Sequence, residues 1–170
     1  NLNRIERMLG QTLSFAKPLQ LKLQTIAIAD IVARAVEEVR QLPEVASMSV
    51  DVHGDQALMV KVDTQLFGEV MTNLLRNAAE ACRGVGHIEV RTARDGARAV
   101  IEVEDDGPGV PAHMRDEIFK PFHSSKDYGT GIGLALCRKV VESHGGTIHL
   151  VGRPGVGACF RVELPPSAVA

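Results

Sequence analysis

The chain has 170 residues, 45% of them hydrophobic and 24% charged, which suits one ordinary folded domain with a real core. Its net charge of −2 excludes bulk attraction to nucleic acid or to an acidic membrane surface, and one Tyr, five Phe and no Trp leave too few rings for a base-stacking platform. No apolar run reaches the roughly 20 residues that span a bilayer, and no signal-peptide pattern opens the chain. A cytoplasmic location without direct membrane contact is therefore expected for this piece of a longer protein, and composition is equally compatible with an inner-membrane anchor elsewhere in the full-length protein.

Residues 1–16 place Leu2, Ile5, Leu9, Thr12 and Ala16 on one stripe of a helix, as at a bundle seam, and Pro18 ends it. The alternation of 20–25 predicts a strand, and Asp30 is the expected N-cap of a helix over 31–42 that Pro43 closes. Two strands, 47–52 and 57–62, are expected around a turn at His53-Gly54-Asp55. Asp63 caps a long helix over 64–83, stopped by Gly84-Val85-Gly86. The runs 87–93 and 97–104 flank Asp95-Gly96, a strong hairpin signal. A short helix is expected over 111–119, then a polar stretch 123–128, a glycine cluster 129–133, and a helix from there to His144. Strands 147–151 and 158–164 form a last hairpin, with a frayed tail from Pro165. This order is not a strict βαβ alternation. It predicts an α+β two-layer sandwich, a mixed sheet covered on one face by helices, with a short N-terminal helix. Cys82, Cys137 and Cys159 have no metal-type spacing and read as small buried hydrophobes in a reducing compartment.

Four segments carry chemistry. Asn73 and Asn77 lie four apart on the long helix, so their amides share a face; an amide oxygen can ligate Mg²⁺ and an amide nitrogen can donate to phosphate, although solvent-facing asparagines fit the spacing equally. Asp105-Asp106-Gly107-Pro108-Gly109 follows a strand, where a carboxylate can accept from an exocyclic amine and glycines admit a flat ligand; a plain surface turn is the other reading. Phe119 and Phe122 flank Lys120-Pro121 before the polar stretch, as hydrophobic anchors of a closing loop or as ordinary core rings. Gly129-Thr130-Gly131-Ile132-Gly133-Leu134 opens a helix, where unobstructed backbone N–H groups form an anion site; it lacks the Lys-Ser/Thr ending of a P-loop.

In this order the four segments resemble the GHKL superfamily of ATP-binding domains (the Bergerat fold of gyrase, chaperone, histidine kinase and mismatch-repair types), and most closely the histidine kinases, over residues 21–165. The resemblance implies ATP and Mg²⁺ as cofactors. Asn77 would ligate Mg²⁺, Asp105 would bond the adenine amine, and Gly107 and Gly109 would shape the base pocket. Gly129, Thr130, Gly131, Gly133 and Leu134 would line the phosphates, and residues 123–128 would form a short lid beside Phe119 and Phe122. Residues 1–16 resemble the end of the second helix of a dimerisation and phosphotransfer bundle, which sets domain bounds at 1–16 and 17–170.

Hydrolytic members of the superfamily carry a glutamate one turn before the Mg²⁺ asparagine, to activate water. Here that position is Asn73, and an amide is no general base at neutral pH. The resemblance therefore implies a protein-histidine kinase, whose nucleotide domain positions the γ-phosphoryl and stabilises its charge. Many such kinases have a Lys three residues after the Mg²⁺ asparagine. Glu80 stands there, and Arg76 or Lys126 is the expected substitute charge. None of the six histidines fits an acceptor pattern, so the acceptor is expected upstream of Asn1 or on another chain. The implied partners are that histidine bundle, a response regulator and a second copy of the full-length protein, with no nucleic acid. A serine-protein kinase of the anti-sigma-factor type and a nucleotide-sensing module remain as alternatives.

Overall fold

The computed structural model describes residues 18–122, 131–152 and 156–169. The helix expected over 1–16, Lys126, Gly129, Thr130 and the stretch 123–128 lie outside them.

Strand β1 (Leu23–Ala27) runs directly into helix α1 (Ile28–Arg40). Strands β2 (Met48–Gly54) and β3 (Met59–Asp63) precede helix α2 (Thr64–Ala81), and β4 (Gly86–Asp95) and β5 (Arg98–Asp105) form the expected hairpin. Helix α3 (Gly133–Ser143) is followed by β6 (Thr147–Val151) and β7 (Cys159–Leu164). The main sheet has the order β2-β4-β5-β7-β6, with β2 parallel to β4 and the other neighbours antiparallel. The α+β sandwich with a mixed sheet is thus observed. Strands β2 and β3, separated by a short connection, belong to different sheets. β2 joins the main sheet, while β3 pairs antiparallel with β1 in a separate two-stranded sheet. His53 belongs to the end of β2, opposite Arg91, rather than to a turn.

One cluster forms the core. α1 contributes Ile28, Ile31, Val32, Val36 and Val39, a stripe of helical period, and α2 contributes Phe67, Val70, Met71, Leu74 and Leu75. Against them lie the inward residues of the sheet, Ile88, Val90, Ile101, Val103, Phe160, Val162 and Leu164. Each large side chain fully buried here contributes roughly 1.5–3 kcal/mol. The alternate residues of the same strands carry charge. Arg91 pairs with Glu89, Glu102 and Glu104, and Arg161 with Glu102, Glu163 and Asp95. That alternation leaves one sheet face for helices and the other for solvent.

Local signals and tertiary burial disagree at three places. α1 starts at Ile28, with Ala27 as N-cap and no side-chain cap, so Asp30 sits inside the first turn instead of capping it. Ile28 is fully buried, and extending the helix to include it outweighs a cap at Asp30. There Asp30 still lies favourably near the positive end of the helix dipole. Residues 111–119 form two separate 3₁₀ turns, Ala112–Met114 and Glu117–Phe119, in place of one helix. The tail is not frayed at Pro165: Pro166–Ala168 form a 3₁₀ turn, Ala168 is buried, and Val169 bridges to Val60.

Asp63 caps α2 as expected. Its Oδ1 accepts from Leu66 N at 3.1 Å and its Oδ2 from Lys22 N at 2.8 Å. Burial pushes this carboxyl up, but the N–H bonds from Lys22, Leu66 and Gln65 together hold it below its ordinary value of 3.8. Asp63→Ala is expected to lower unfolding free energy by about 1–2 kcal/mol at neutral pH. Because the native pKa is depressed, this contribution is fully present above the unfolded value and is lost as pH falls through the native one. Denaturant melts of both proteins between pH 7 and pH 2 check it: the gap should close at the acid end.

Candidate nucleotide site

Helix α2 supplies the first wall. Its buried stripe runs through Leu74, Leu75 and Ala78, which leaves Asn73, Arg76 and Asn77 half-buried at the helix flank. Asn73 faces the start of α3: a Cβ built on Gly133 would lie 3.7 Å from Asn73 Oδ1. Asn73 also hydrogen-bonds the Cys137 sulfur one turn further along α3. Arg76 Nε is buried and has no hydrogen-bond partner among the described residues. An orphaned guanidinium N–H is costly unless an anion meets it.

The end of β5 supplies the floor. Asp105 is 3% exposed, and its Oδ1 accepts from Gly107 N at 2.9 Å and Ala158 N at 3.3 Å. Both bonds use the same oxygen, so neither occupies Oδ2. Burial raises the Asp105 carboxyl above its ordinary value, the two N–H bonds oppose this, and the charges of Asp106 and Glu104 add to the rise. A Cβ on Gly107 would come within 2.9 Å of Asp105 Oδ1 and 3.2 Å of the Ala81 carbonyl carbon, so the turn packs against the end of α2 because that position has no side chain. Gly109 adopts φ +73°, the left-handed region.

Two residues that the sequence did not mark hold this turn in place. Asp106 Oδ1 accepts from His87 N at 3.0 Å and from Cys82 Sγ at 3.3 Å, tying the turn to the start of β4 and the C-cap of α2. The His87 N–H bond holds the Asp106 carboxyl below its ordinary value, and burial together with Asp106 pushes the Cys82 thiol up to about 12. Gly157 has φ +96°, and a Cβ there would lie 1.9 Å from the Asp105 carbonyl oxygen. The glycine spacing before β7 was the available signal for Gly157, whereas nothing local distinguishes Asp106 from an ordinary turn aspartate.

The two phenylalanines behave differently. Phe119 is buried, edge-on to Phe160 at 6.1 Å with Arg138 over its ring at 6.0 Å, and so anchors the segment to the core. Phe122 is 71% exposed with φ +64°, and its backbone N–H donates to Gly131 O at 3.0 Å. The expected pair of anchors is therefore one anchor and one exposed ring. The Phe122–Gly131 bond closes the base of the segment expected to act as lid. Gly131 has φ +65°, Ile132 is the N-cap of α3 without a side-chain cap bond, and Gly133 is the first helical residue. The N-cap residue itself thus makes no side-chain cap bond to the first N–H groups of α3, and Asn73 Oδ1 lies beside that helix start. Leu134 packs half-buried against the core.

Among the described residues, the buried Asp105 carboxylate, a helix start whose N-cap makes no side-chain cap bond, the unpaired Arg76 Nε and the flanking asparagines are groups that fit a Mg²⁺-nucleotide. Mg²⁺ takes few protein ligands and several phosphate or water oxygens, which matches the single amide that Asn77 offers.

Floor, flank and uncapped helix together define a nucleotide-binding domain, and residues 62–168 match the family model described as histidine kinase-, DNA gyrase B- and HSP90-like ATPase. The chain belongs to that family. It is similar to the sensor histidine kinase ZraS of Klebsiella oxytoca, 34% identical over 96% of this chain and 36% of that protein. The chain thus spans about a third of that relative's length. Among solved structures it is similar to the catalytic domain of histidine kinase ThkA (26% identical, TM-score 0.78, 85% of this chain and 96% of that one). It is also similar to ThkA in complex with the response regulator protein TrrA (25% identical, TM-score 0.83, 97% of this chain and 48% of that one). Among the described residues no helix is long and apolar enough to cross a membrane.

Proposed function

We propose that the chain is the ATP-binding catalytic part of a two-component sensor histidine kinase, which binds Mg²⁺-ATP and passes the γ-phosphoryl to a histidine on a helical bundle. The observation that carries this is Asn73. It stands beside Gly133 at the mouth of the phosphate helix, one turn before Asn77, where a hydrolase of this fold would hold a water-activating carboxylate. An amide there can orient a phosphate oxygen but cannot take a proton from water. Asp105 then reads the adenine amine and Gly131 and Gly133 receive the phosphates. Bound Mg²⁺, held by Asn77, would offset charge on the phosphates. Arg76, with its orphaned Nε, and Lys126 supply the positive charge that Glu80 does not.

Residues 1–16 are assigned to the end of the bundle's second helix and 17–170 to the catalytic domain. The partners we assign are a histidine bundle and a response regulator, the latter supported by the similarity to ThkA in complex with a response regulator, and the assigned state of the full-length protein is a cytoplasmic homodimer.

The test supplies labelled ATP and a separate histidine bundle from a similar kinase. Acid-labile phosphate is expected on the bundle, none on this chain alone, and no phosphate release to water above background. Rapid ATP hydrolysis without the bundle would overturn the kinase assignment in favour of an ATPase. Binding of ATP with no transfer to any bundle would favour a nucleotide-sensing module. If Arg76→Ala and Lys126→Ala both leave transfer intact, the charge assignment is wrong.

A further inference from the structure

Helices α2 and α3 run antiparallel, and three contacts mark their seam. At one end Asn73 meets Gly133, in the middle the Cys137 thiol donates to Val70 O at 3.8 Å, and at the other end His144 meets Asp63 and Phe67. The first contact lies at the proposed phosphate site. The third lies ten residues from Asn73 along α2, about 15 Å away at the helical rise.

His144 is 8% exposed and both its ring nitrogens are used. Nδ1 lies 2.7 Å from Val140 O, a pure acceptor, so Nδ1 carries the proton. Nε2 is then the acceptor of the Asp63 backbone N–H at 2.9 Å. The ring edge also packs on Phe67 at 5.9 Å and 78°. That N–H belongs to the N-cap of α2, while the histidine is itself the C-cap of α3. Val140 and Phe67 fix the ring, and the ring fixes the start of α2.

We propose that His144 is a positioning residue for Mg²⁺-nucleotide binding: through Asp63 it sets α2 against α3, and so sets Asn73 and Asn77 against Gly131 and Gly133. The inference rests on the nucleotide reading of the site. Phosphate and metal ligands come from both helices, so a slip or rotation between them spoils the site. The adenine pocket is built differently, from Asp105, Asp106, Gly107 and Gly157 on the sheet side, and does not need His144. The same Asp63 also receives Lys22 N, so the seam is joined to the chain entering the domain.

The test measures two ligands, Mg²⁺-ATP and adenosine, on wild type, His144→Ala and His144→Gln, by calorimetry or ligand-observed NMR. His144→Ala should weaken Mg²⁺-ATP by about tenfold, the order of one net hydrogen bond, and leave adenosine within about twofold. Gln, whose Oε1 can stand at the Nε2 position, should restore most of the Mg²⁺-ATP affinity. In nucleotide-free wild type the Asp63 amide should exchange slowly with solvent, and faster in His144→Ala than in His144→Gln. Equal losses for both ligands without rescue would overturn the proposal, because His144 would then be a packing residue only. Unchanged Mg²⁺-ATP affinity in His144→Ala would overturn it as well. Should the alanine variant not fold, the glutamine variant and the Asp63 exchange rate decide. Wild type that binds adenosine but no Mg²⁺-ATP would instead sink the nucleotide reading, and this inference with it.

Discussion

Asp105→Asn is expected to weaken adenine-nucleotide binding by roughly 10- to 150-fold, the equivalent of about 1.5–3 kcal/mol for a charge-assisted hydrogen bond. The substitution keeps the size of the side chain and removes one acceptor. In the wild type Oδ1 is committed to Gly107 N and Ala158 N, and Oδ2 lies outside those bonds. An asparagine must keep its single oxygen toward those two N–H groups or strand them in a buried turn. Its NH₂ then faces the adenine NH₂, donor against donor. The fold should survive, since the internal bonds persist, so a thermal melt close to wild type together with a large calorimetric loss is the expected pair of results. Unchanged affinity would mean that the base pocket lies elsewhere. The wild type should also show an acid limb. Burial raises the Asp105 pKa above 3.8, so the acceptor form is lost on acidification before an ordinary aspartate would titrate, and nucleotide affinity should fall with it. For stability the sign is opposite to that of Asp63: a raised carboxyl pKa means the native state binds the proton more tightly, so ionised Asp105 detracts from stability above that pKa.

Asn77→Ala is the second large effect. Losing the amide should cost at least about 100-fold in Mg²⁺-dependent nucleotide affinity, beyond the 10–100-fold typical of outer-shell metal partners. Affinity for Mg²⁺-free adenosine should stay near wild type, because the proposed base pocket draws on Asp105 at the end of β5 and not on this position. Asn77 is half-buried at the flank of α2, and Ala is the better helix former, so the variant should be no less stable. Titrating MgCl₂ against a fixed nucleotide concentration checks it. Magnesium dependence that survives in Asn77→Ala would remove this residue from the metal site.

The elements most legible in the sequence were those set by neighbours along the chain. α2 and its Asp63 cap, the β4–β5 hairpin at Asp95-Gly96, and α3 opening at Gly133 all follow from local capping, turn chemistry and period. The strand pairing was not legible. The turn read at His53-Gly54-Asp55 said nothing of partners, and β2 runs parallel to β4 while β3 pairs with β1, because partners are chosen by which faces bury together and not by proximity in sequence. The same cause moved the start of α1 to the buried Ile28 and fixed β1 at 23–27, opposite Met59–Asp63.

The site divides along the same line. By itself the sequence determined which groups are on offer: two amides one turn apart, a carboxylate before a glycine turn and a glycine-opened helix. These are properties of residue type and spacing, and they survive without a fold. Only the tertiary structure decided how those groups are held. It put Oδ1 of Asp105 on two backbone N–H groups, Asp106 on His87 and Cys82, and Gly157 against the Asp105 carbonyl. It buried Phe119 but exposed Phe122, and among the described residues it left Arg76 Nε without a partner. It also brought His144 to Asp63 across a separation of 81 residues. Such contacts form between residues far apart in the chain, and their geometry depends on how whole helices and strands pack, which no local pattern encodes.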